Sequence, residues 1–482
     1  MAATIGTVAK ILMVGSEALP FVKSGGLGHV LGALPKALAG LGHQVAVVLP
    51  RYRSLIAGDL TVAQERLGFA LGRSEFSARI LSQRRNDVTY FFVQIPELYD
   101  RTGVYGENGG DYPDNHVRFG ALCRAALGIA HQLFVPDVVH CHDWQAGLLP
   151  ALVRQVYRGH AAYQDLKLIF TIHNLGYQGL FPAAALEGLS LPPRLAALDS
   201  LGLHGSISLL KSGLLYSDLL TTVSPRYADE IQTPEFGFGL EDLLRRRQAD
   251  LTGILNGADY TEWNPLTDGK IAARYDRERL AGKRECKRAL LREMGLPADL
   301  ENKPLIGIVS RFASQKGFDL VAQIPHEVAA EDLALVVHGD GDRATEDFFR
   351  WFAAMYPRKV AVRVGFHDGL AHRIHSGSDM LLVPSRYEPC GLAQIHSLRY
   401  GTLPLVRATG GLDDTIDGDT GFKFWGYTSS ELLDCLRAAL RIYGSPRWNE
   451  MQQAAMSRDF SWDGSARLYS EQYRRLFASN YC

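Results

Sequence analysis

The sequence predicts an α/β protein built as two doubly wound, Rossmann-like domains that face each other across a deep cleft. Three observations carry that prediction. Short apolar runs recur along the chain and are continuous rather than alternating, which suits parallel strands buried on both faces. Each run is followed by a glycine-rich or polar turn and then by helical periodicity, the pattern of a crossover unit. The residues able to do chemistry cluster just after the runs, at the edge where open α/β sheets bind their ligands.

In chain order the first series comprises KILMVGSE (10–17), QVAVVLP (44–50), DVVHCHDW (137–144), LKLIFTIHN (166–174) and LLTTVS (219–224). The second comprises PLIGIVSRF (304–312), LALVVHGDG (333–341), VAVRVGF (360–366), DMLLVPS (379–385) and LPLVRATG (403–410). The turn chemistry of GILNGADYTEWNP (253–265) marks the join, giving an N-terminal domain over 1–253 and a C-terminal domain over 254–464. The segment SARLYSEQYRRLF (465–477) reads as an amphipathic helix, with Leu468, Tyr469, Tyr473 and Leu476 on one stripe, and about 465–482 is expected to pack back on the first domain.

A chain of 482 residues is long enough for two cores. Lys plus Arg is 51 and Asp plus Glu is 52, so no overall basic surface for nucleic acid or membrane is expected, and any anion must be met by locally placed cations. The six cysteines form no CxxC pair, and the start MAATIGTVAK lacks the apolar core of a signal peptide. No apolar run reaches the roughly 20 residues of a membrane span, so a cytoplasmic protein with reduced thiols is expected.

Five segments carry candidate chemistry. In KSGGLGHV (23–30), Gly25 and Gly26 before a helix let backbone amides approach an anion, and Lys23 adds a charge; a plain tight turn reads as well. Pro35 implies that this helix is short or kinked. SRFASQKG (310–317) places Arg311 and Lys316 on one loop, suited to a diphosphate leaving group or simply to a solvated basic loop.

In SRYEPCGLAQIHSLRYG (385–401), Glu388 precedes a helix expected to begin near Pro389, with the amides around Gly391, Leu392 and Ala393 facing an anion. Asp143 and His173 end two strands, where a structural role is the plainer alternative. A metal at His140, Cys141, His142 and Asp143 is rejected, because neighbouring strand residues point to opposite faces. KSGGL is echoed by ATGGL (408–412), as two similar loops rather than a repeat.

Taken together, KSGGL, YGENGGDYPDNHVRF, HDWQAG, TIHNLGYQGLF, TTVSPRYADEIQTPEFGFGLEDLL, GILNGADYTEWNP, SRFASQKGFDL, VPSRYEPCGLAQ and ATGGLDDTI resemble the bacterial glycogen synthase and plant starch synthase family. The resemblance runs collinearly through nearly the whole chain. It implies a GT-B fold and retaining transfer of glucose from ADP-glucose to an α-1,4-glucan, with no cofactor and no metal. By position, Lys23, Arg311 and Lys316 match donor-diphosphate residues, and Glu388 matches the active-site carboxylate. Asp143, His173 and Asn256 match residues near the transferred glucose, and Phe366 matches an aromatic against the base. Tyr105 and Asn115 are weaker sugar-side candidates. Two other functions remain open: a related retaining glucosyltransferase with a different acceptor, such as a phosphorylated sugar, and a non-catalytic glucan-binding regulator.

The chain departs from the family's usual KTGGLADV at Ser24 and His29, and Ala313 and Ala393 replace common threonines. Each lost hydroxyl contact is worth on the order of 0.5–1.5 kcal/mol where it was made. His29 exchanges a carboxylate for an imidazole. His29→Asp is therefore expected to raise turnover or shift product length; an assay of both that shows neither would clear His29 of any part in the departure.

Overall fold

The computed structural model describes residues 8–56, 58–107, 109–365 and 367–478. The chain divides into two compact units, one of Met1–Val223, Ala228–Gly257 and Trp462–Cys482, the other of Ser224–Tyr227 and Ala258–Ser461.

The first unit is built on a nine-stranded sheet. Its strands are Lys10–Val14 (β1), Gln44–Pro50 (β2), Thr61–Leu71 (β3), Ser74–Arg85 (β4), Val88–Gln94 (β5), Val138–His142 (β6), Lys167–Ile172 (β7), Leu219–Thr222 (β8) and Leu251–Gly253 (β9). They lie in the order β9-β8-β7-β6-β1-β2-β5-β4-β3. All neighbours are parallel except β5-β4 and β4-β3, which are antiparallel. The winding direction reverses between β1 and β6. Strands of the central run are sealed: Ile11, Leu12, Met13 and Val14 have no exposed surface, and Ala46 to Leu49 likewise.

The second unit has a six-stranded sheet. Its strands are Leu305–Val309 (β10), Ala334–Gly339 (β11), Val360–Val364 (β12), Met380–Val383 (β13), Leu403–Arg407 (β14) and Phe422–Phe424 (β15). All are parallel, in the order β12-β11-β10-β13-β14-β15, so the winding reverses between β10 and β13. Ile306, Ile308, Leu335, Val337, Phe349, Phe352, Leu405 and Leu412 are part of one apolar core on this sheet.

Several expectations are revised. The sheets hold strands beyond the apolar runs noted in the sequence: the β3–β4 hairpin, β5, β9 and β15. The hairpin escaped because its exposed faces dilute the apolar signal, with Thr61, Val62, Glu65, Arg66, Ser74 and Glu75 all exposed.

The helix after KSGG runs Gly26–Gly40, fifteen residues straight through Pro35, so it is not short. A mid-helix proline costs about 3 kcal/mol, but Leu27, Val30, Leu31, Leu34 and Leu38 are all buried on this helix, and each such burial returns about 1.5–3 kcal/mol.

The C-terminal helix Trp462–Ala478 is part of the first unit, burying Tyr469, Tyr473 and Leu476. Leu468 is 46% exposed and leaves the expected stripe. Its place on the helix, one residue before Tyr469, turns it toward solvent.

Close packing is tight where the helix Leu209–Tyr216 meets β7. A Cβ added at Gly213 would collide with the ring of Phe170, itself fully buried. Overpacking of about 1–3 kcal/mol outweighs the roughly 0.5–1 kcal/mol that alanine gains in a helix. Gly213→Ala is thus expected to lower the urea midpoint; a raised midpoint would show that this contact relaxes freely.

Candidate active site

Most of the candidate residues follow the strands that flank the two reversal points, and His173 and Asn256 follow strands farther along the first sheet. In the first unit, Lys23, Gly25 and Gly26 follow β1, and Asp143 directly follows β6. His173 follows β7, and Asn256 follows β9. In the second unit Arg311 and Lys316 follow β10, while Glu388, Gly391 and Leu392 follow β13. Phe366 lies outside the described residues. At such a reversal the connections of adjacent strands leave in opposite directions and open a crevice at the strand ends.

The glycine loop of the first unit already holds a carboxylate. Glu17, 2% exposed, accepts from the Ser24 hydroxyl at 2.7 Å and from the Gly25 amide at 3.0 Å, and also from the Ser24 amide. The Tyr105 hydroxyl bonds the same carboxylate and lies 2.8 Å from Ser16 Oγ. Burial, then Glu17, pushes the Tyr105 hydroxyl far above its usual range.

Asn115 donates to the Tyr105 carbonyl at 2.8 Å. The fully buried Arg118 donates to Asn115 Oδ1 at 2.6 Å and to the Val104 carbonyl at 3.0 Å. Tyr105 and Asn115 are thus joined in one network that shapes the loop. Glu17 was passed over in the sequence, although it ends the first apolar run; three residues beyond a strand end was the available signal.

Added Cβ atoms at Gly25 and Gly26 would meet nothing within 4 Å among the described residues, so their packing there does not demand these glycines. The echo in ATGGL differs. Gly410 has φ +44, and Cβ atoms at Gly410 and Gly411 would strike the carbonyls of Glu388 and Cys390. These glycines are required by packing, and the Gly411 amide bonds the Glu388 carbonyl at 3.1 Å.

Asp143 and His173 are brought together. Asp143 sits at φ +55, a conformation unusual for a residue with a side chain, and its Oδ1 accepts the His173 amide at 2.7 Å. Although part of its surface stays accessible, Asp143 is surrounded closely enough that desolvation lifts its carboxyl to about 7, opposed by the amides of His173 and Asn174. Burial holds His173 down at about 3, so its imidazole is neutral. Asn256 is 7% exposed, and its Oδ1 is buried without a hydrogen-bond partner among the described residues.

In the second unit, Lys316 Nζ lies 2.6 Å from Glu388 Oε2, and Ser385 Oγ donates to the same oxygen at 3.0 Å. The two side chains are 17% and 8% exposed. Gln315 zips the two loops together: its Nε2 donates to the Tyr387 carbonyl at 3.1 Å, and its carbonyl accepts the Arg386 amide at 2.8 Å. Gly317, at φ +73, passes so close to the Pro384 carbonyl that a side chain is excluded. Arg311 is exposed on the same loop as Lys316.

The expected helix start near Pro389 is corrected. The helix is Ala393–Arg399, with Leu392 as its cap residue, so Glu388 lies in the loop before it rather than in its first turn. Gly391 at φ +72 breaks the helical path. The Pro389 carbonyl accepts Ser224 Oγ at 2.7 Å and the Cys390 carbonyl accepts Gln394 Nε2 at 2.9 Å, in place of helical amides.

With this geometry in place, the comparisons with known proteins define the class. The family profile "Starch synthase catalytic domain" matches residues 10–246, and "Glycosyl transferases group 1" matches residues 297–456. The catalytic domain of starch synthase IV from Arabidopsis thaliana, bound to ADP and acarbose, has a TM-score of 0.89 at 30% identity, over 98% of this chain and 100% of that one. A sucrose-phosphate synthase from Thermosynechococcus elongatus, at TM-score 0.61 and 18% identity, shares the fold over 98% of this chain and 99% of its own. The fold is that of the GT-B glycosyltransferases.

Glycogen synthase from Koribacter versatilis is 47% identical over 475 residues, 96% of this chain and 98% of the relative. That from Myxococcus xanthus is 45% identical over 481 residues, 97% of this chain and 99% of its own length. The chain belongs to the family of bacterial glycogen synthases and plant starch synthases.

The Asp143 carboxyl supplies a test of this geometry. Its raised folded value means that the native state holds the proton more tightly than the unfolded chain, whose aspartates titrate near about 4. Its contribution therefore falls as pH rises from about 4 to about 7 and levels off above. Asparagine keeps the acceptor for the His173 amide and tolerates a positive φ. Asp143→Asn should gain stability over the parent, more at pH 8 than at pH 4.5 by urea denaturation; equal gains at both would refute the buried, proton-holding carboxyl.

Proposed function

We propose that this chain is a glycogen (starch) synthase, transferring glucose from ADP-glucose to the non-reducing end of an α-1,4-glucan with retention of configuration. The observation that carries the reading is the loop pair of the second unit, where Lys316, Arg311 and the Lys316-bound Glu388 stand at the reversal point of the sheet. Membership of the family supports it, as does the ADP bound to the starch synthase IV structure.

A nucleoside diphosphate departs readily once its growing charge is neutralised, so the need is for cations and amides rather than a strong acid. Arg311 and Lys316 supply cations for the diphosphate, and the amides at Gly391 and Leu392 supply further donors. Lys316 binds Glu388 in the free protein, so anion binding redistributes a pair that already exists. Glu388 then serves as a positioning and electrostatic carboxylate for the sugar.

On the first unit, Lys23 supplies a cation for a second anion-recognising element, beside a glycine loop whose Gly25 amide is engaged by Glu17 in the free protein. Asp143, His173 and Asn256 address sugar hydroxyls, with Tyr105 holding Glu17. Retention follows from attack on the face that the leaving phosphate vacates, the phosphate taking the acceptor proton. Among the described residues no helix is long and apolar enough to cross a membrane. The described cysteines are free thiols and the relatives are bacterial, which supports a cytoplasmic, bacterial setting.

The test is incubation with glycogen and either ADP-glucose or UDP-glucose, following nucleotide release and glucose incorporated into polymer. Incorporation from ADP-glucose is expected, with a loss of roughly 100-fold or more in Glu388→Ala. Nucleotide release without polymer growth would overturn the acceptor assignment in favour of a different acceptor, and no release from either donor would overturn the enzyme reading.

A further inference from the structure

Three histidines are stacked under the strand ends of the first unit, and only one of them was singled out by sequence. His140 and His142, both on β6 and both fully buried, have ring centroids 4.1 Å apart at an interplanar angle of 30°. His140 is held at both nitrogens: Nδ1 lies 2.9 Å from the hydroxyl of Tyr473 on the C-terminal helix, and Nε2 lies 2.6 Å from Thr171 Oγ1. His142 is held at one. Its Nδ1 lies 3.0 Å from His173 Nε2. Its Nε2 is packed too tightly for solvent to touch and meets no hydrogen-bond partner among the described residues.

That asymmetry decides where the protons sit. In the His142–His173 contact one nitrogen must donate. If His173 donates from Nε2, His142 accepts at Nδ1 and carries its own proton on Nε2, as a buried N–H without an acceptor. If His142 donates from Nδ1, its Nε2 is left as a bare lone pair. Orphaned buried N–H groups are rare and costly, whereas an under-used acceptor is tolerated. Double protonation is excluded, since burial and the neighbouring rings hold His142 far below the usual imidazole range and burial keeps His173 at about 3.

We propose that His142 is a positioning residue that donates from Nδ1 to His173 Nε2 and so fixes His173 as the neutral Nδ1–H tautomer, with that N–H available to a sugar or leaving-group oxygen. His140, anchored by Tyr473 and Thr171, is the face against which the His142 ring is held flat. The proposal rests on the reading of His173 as a substrate-facing residue. The role of the contact is that of an outer partner fixing the tautomer of a functional imidazole.

The first measurement is a long-range 15N–1H spectrum of the histidine rings in the ligand-free protein at pH 7.5, with the two rings assigned from His142→Leu and His173→Asn. Expected is a protonated Nδ1 and a bare Nε2 on both His142 and His173; a proton on His173 Nε2 overturns the proposal. This readout needs no turnover, so its failure is separable from failure of the synthase reading.

In the assay, His142→Leu is expected to lower kcat by about 10–100-fold with little change in KM for the donor. His142→Asn, whose amide N–H replaces Nδ1–H, should recover most of that loss. Wild-type kcat in His142→Leu, or equal losses in the Leu and Asn variants, overturns the positioning role.

Discussion

Parallel strands buried on both faces leave polar side chains almost nowhere to go except the strand ends, and that constraint organises this molecule. Val14, Ile172, Leu381 and most other residues of the central strands are buried and apolar, so the candidate chemistry begins one to twelve residues beyond the strand ends. The crevice opens only where the winding reverses. The first unit reverses between β1 and β6 and carries Glu17 with the glycine loop on one side and Asp143 on the other. The second reverses between β10 and β13 and carries Lys316 on one side and Glu388 on the other.

The Lys316–Glu388 pair shows why such a crevice must be rigid. A mostly buried ion pair adds little net stability, because desolvation consumes most of the Coulomb attraction, yet losing one partner strands the other. The surrounding backbone therefore has to hold both charges in register. Gly317 lies against the Pro384 carbonyl, Gln315 bonds the strand-end loop twice, and Gly410 and Gly411 back the carbonyls of Glu388 and Cys390. Apart from the Gln315 side-chain amide bond, each of these is a backbone-level contact, which side-chain motion cannot loosen.

The first unit solves its electrostatics differently, by neutrality. His140, His142 and His173 are held uncharged by burial, and Asp143 is lifted toward its protonated form by the same cause. The two effects pull stability in opposite directions. The depressed histidines contribute stability that is lost as pH falls below about 6.5, whereas the raised aspartate contributes stability that is gained as pH falls from about 7 toward about 4. Their partial opposition leaves a low-charge floor beneath the strand ends.

Periodicity and turn chemistry by themselves determined the α/β class, ten of the strands, and the placement of Lys23, Asp143, His173, Arg311, Lys316 and Glu388 just beyond strand ends, because those signals are local in the chain. The half-exposed β3–β4 hairpin and the helix through Pro35 were illegible, since both depend on burial supplied by distant segments. Two GGL loops that read alike differ in backbone and in what packs against them: Gly25 and Gly26 have space around them among the described residues, whereas Gly410 is left-handed and both Gly410 and Gly411 face backbone. Strand order, the pairing of Lys316 with Glu388, the capture of the glycine loop by Glu17 and the His142–His173 contact were decided by tertiary structure alone. Each joins residues whose distance along the chain says nothing about their distance in space.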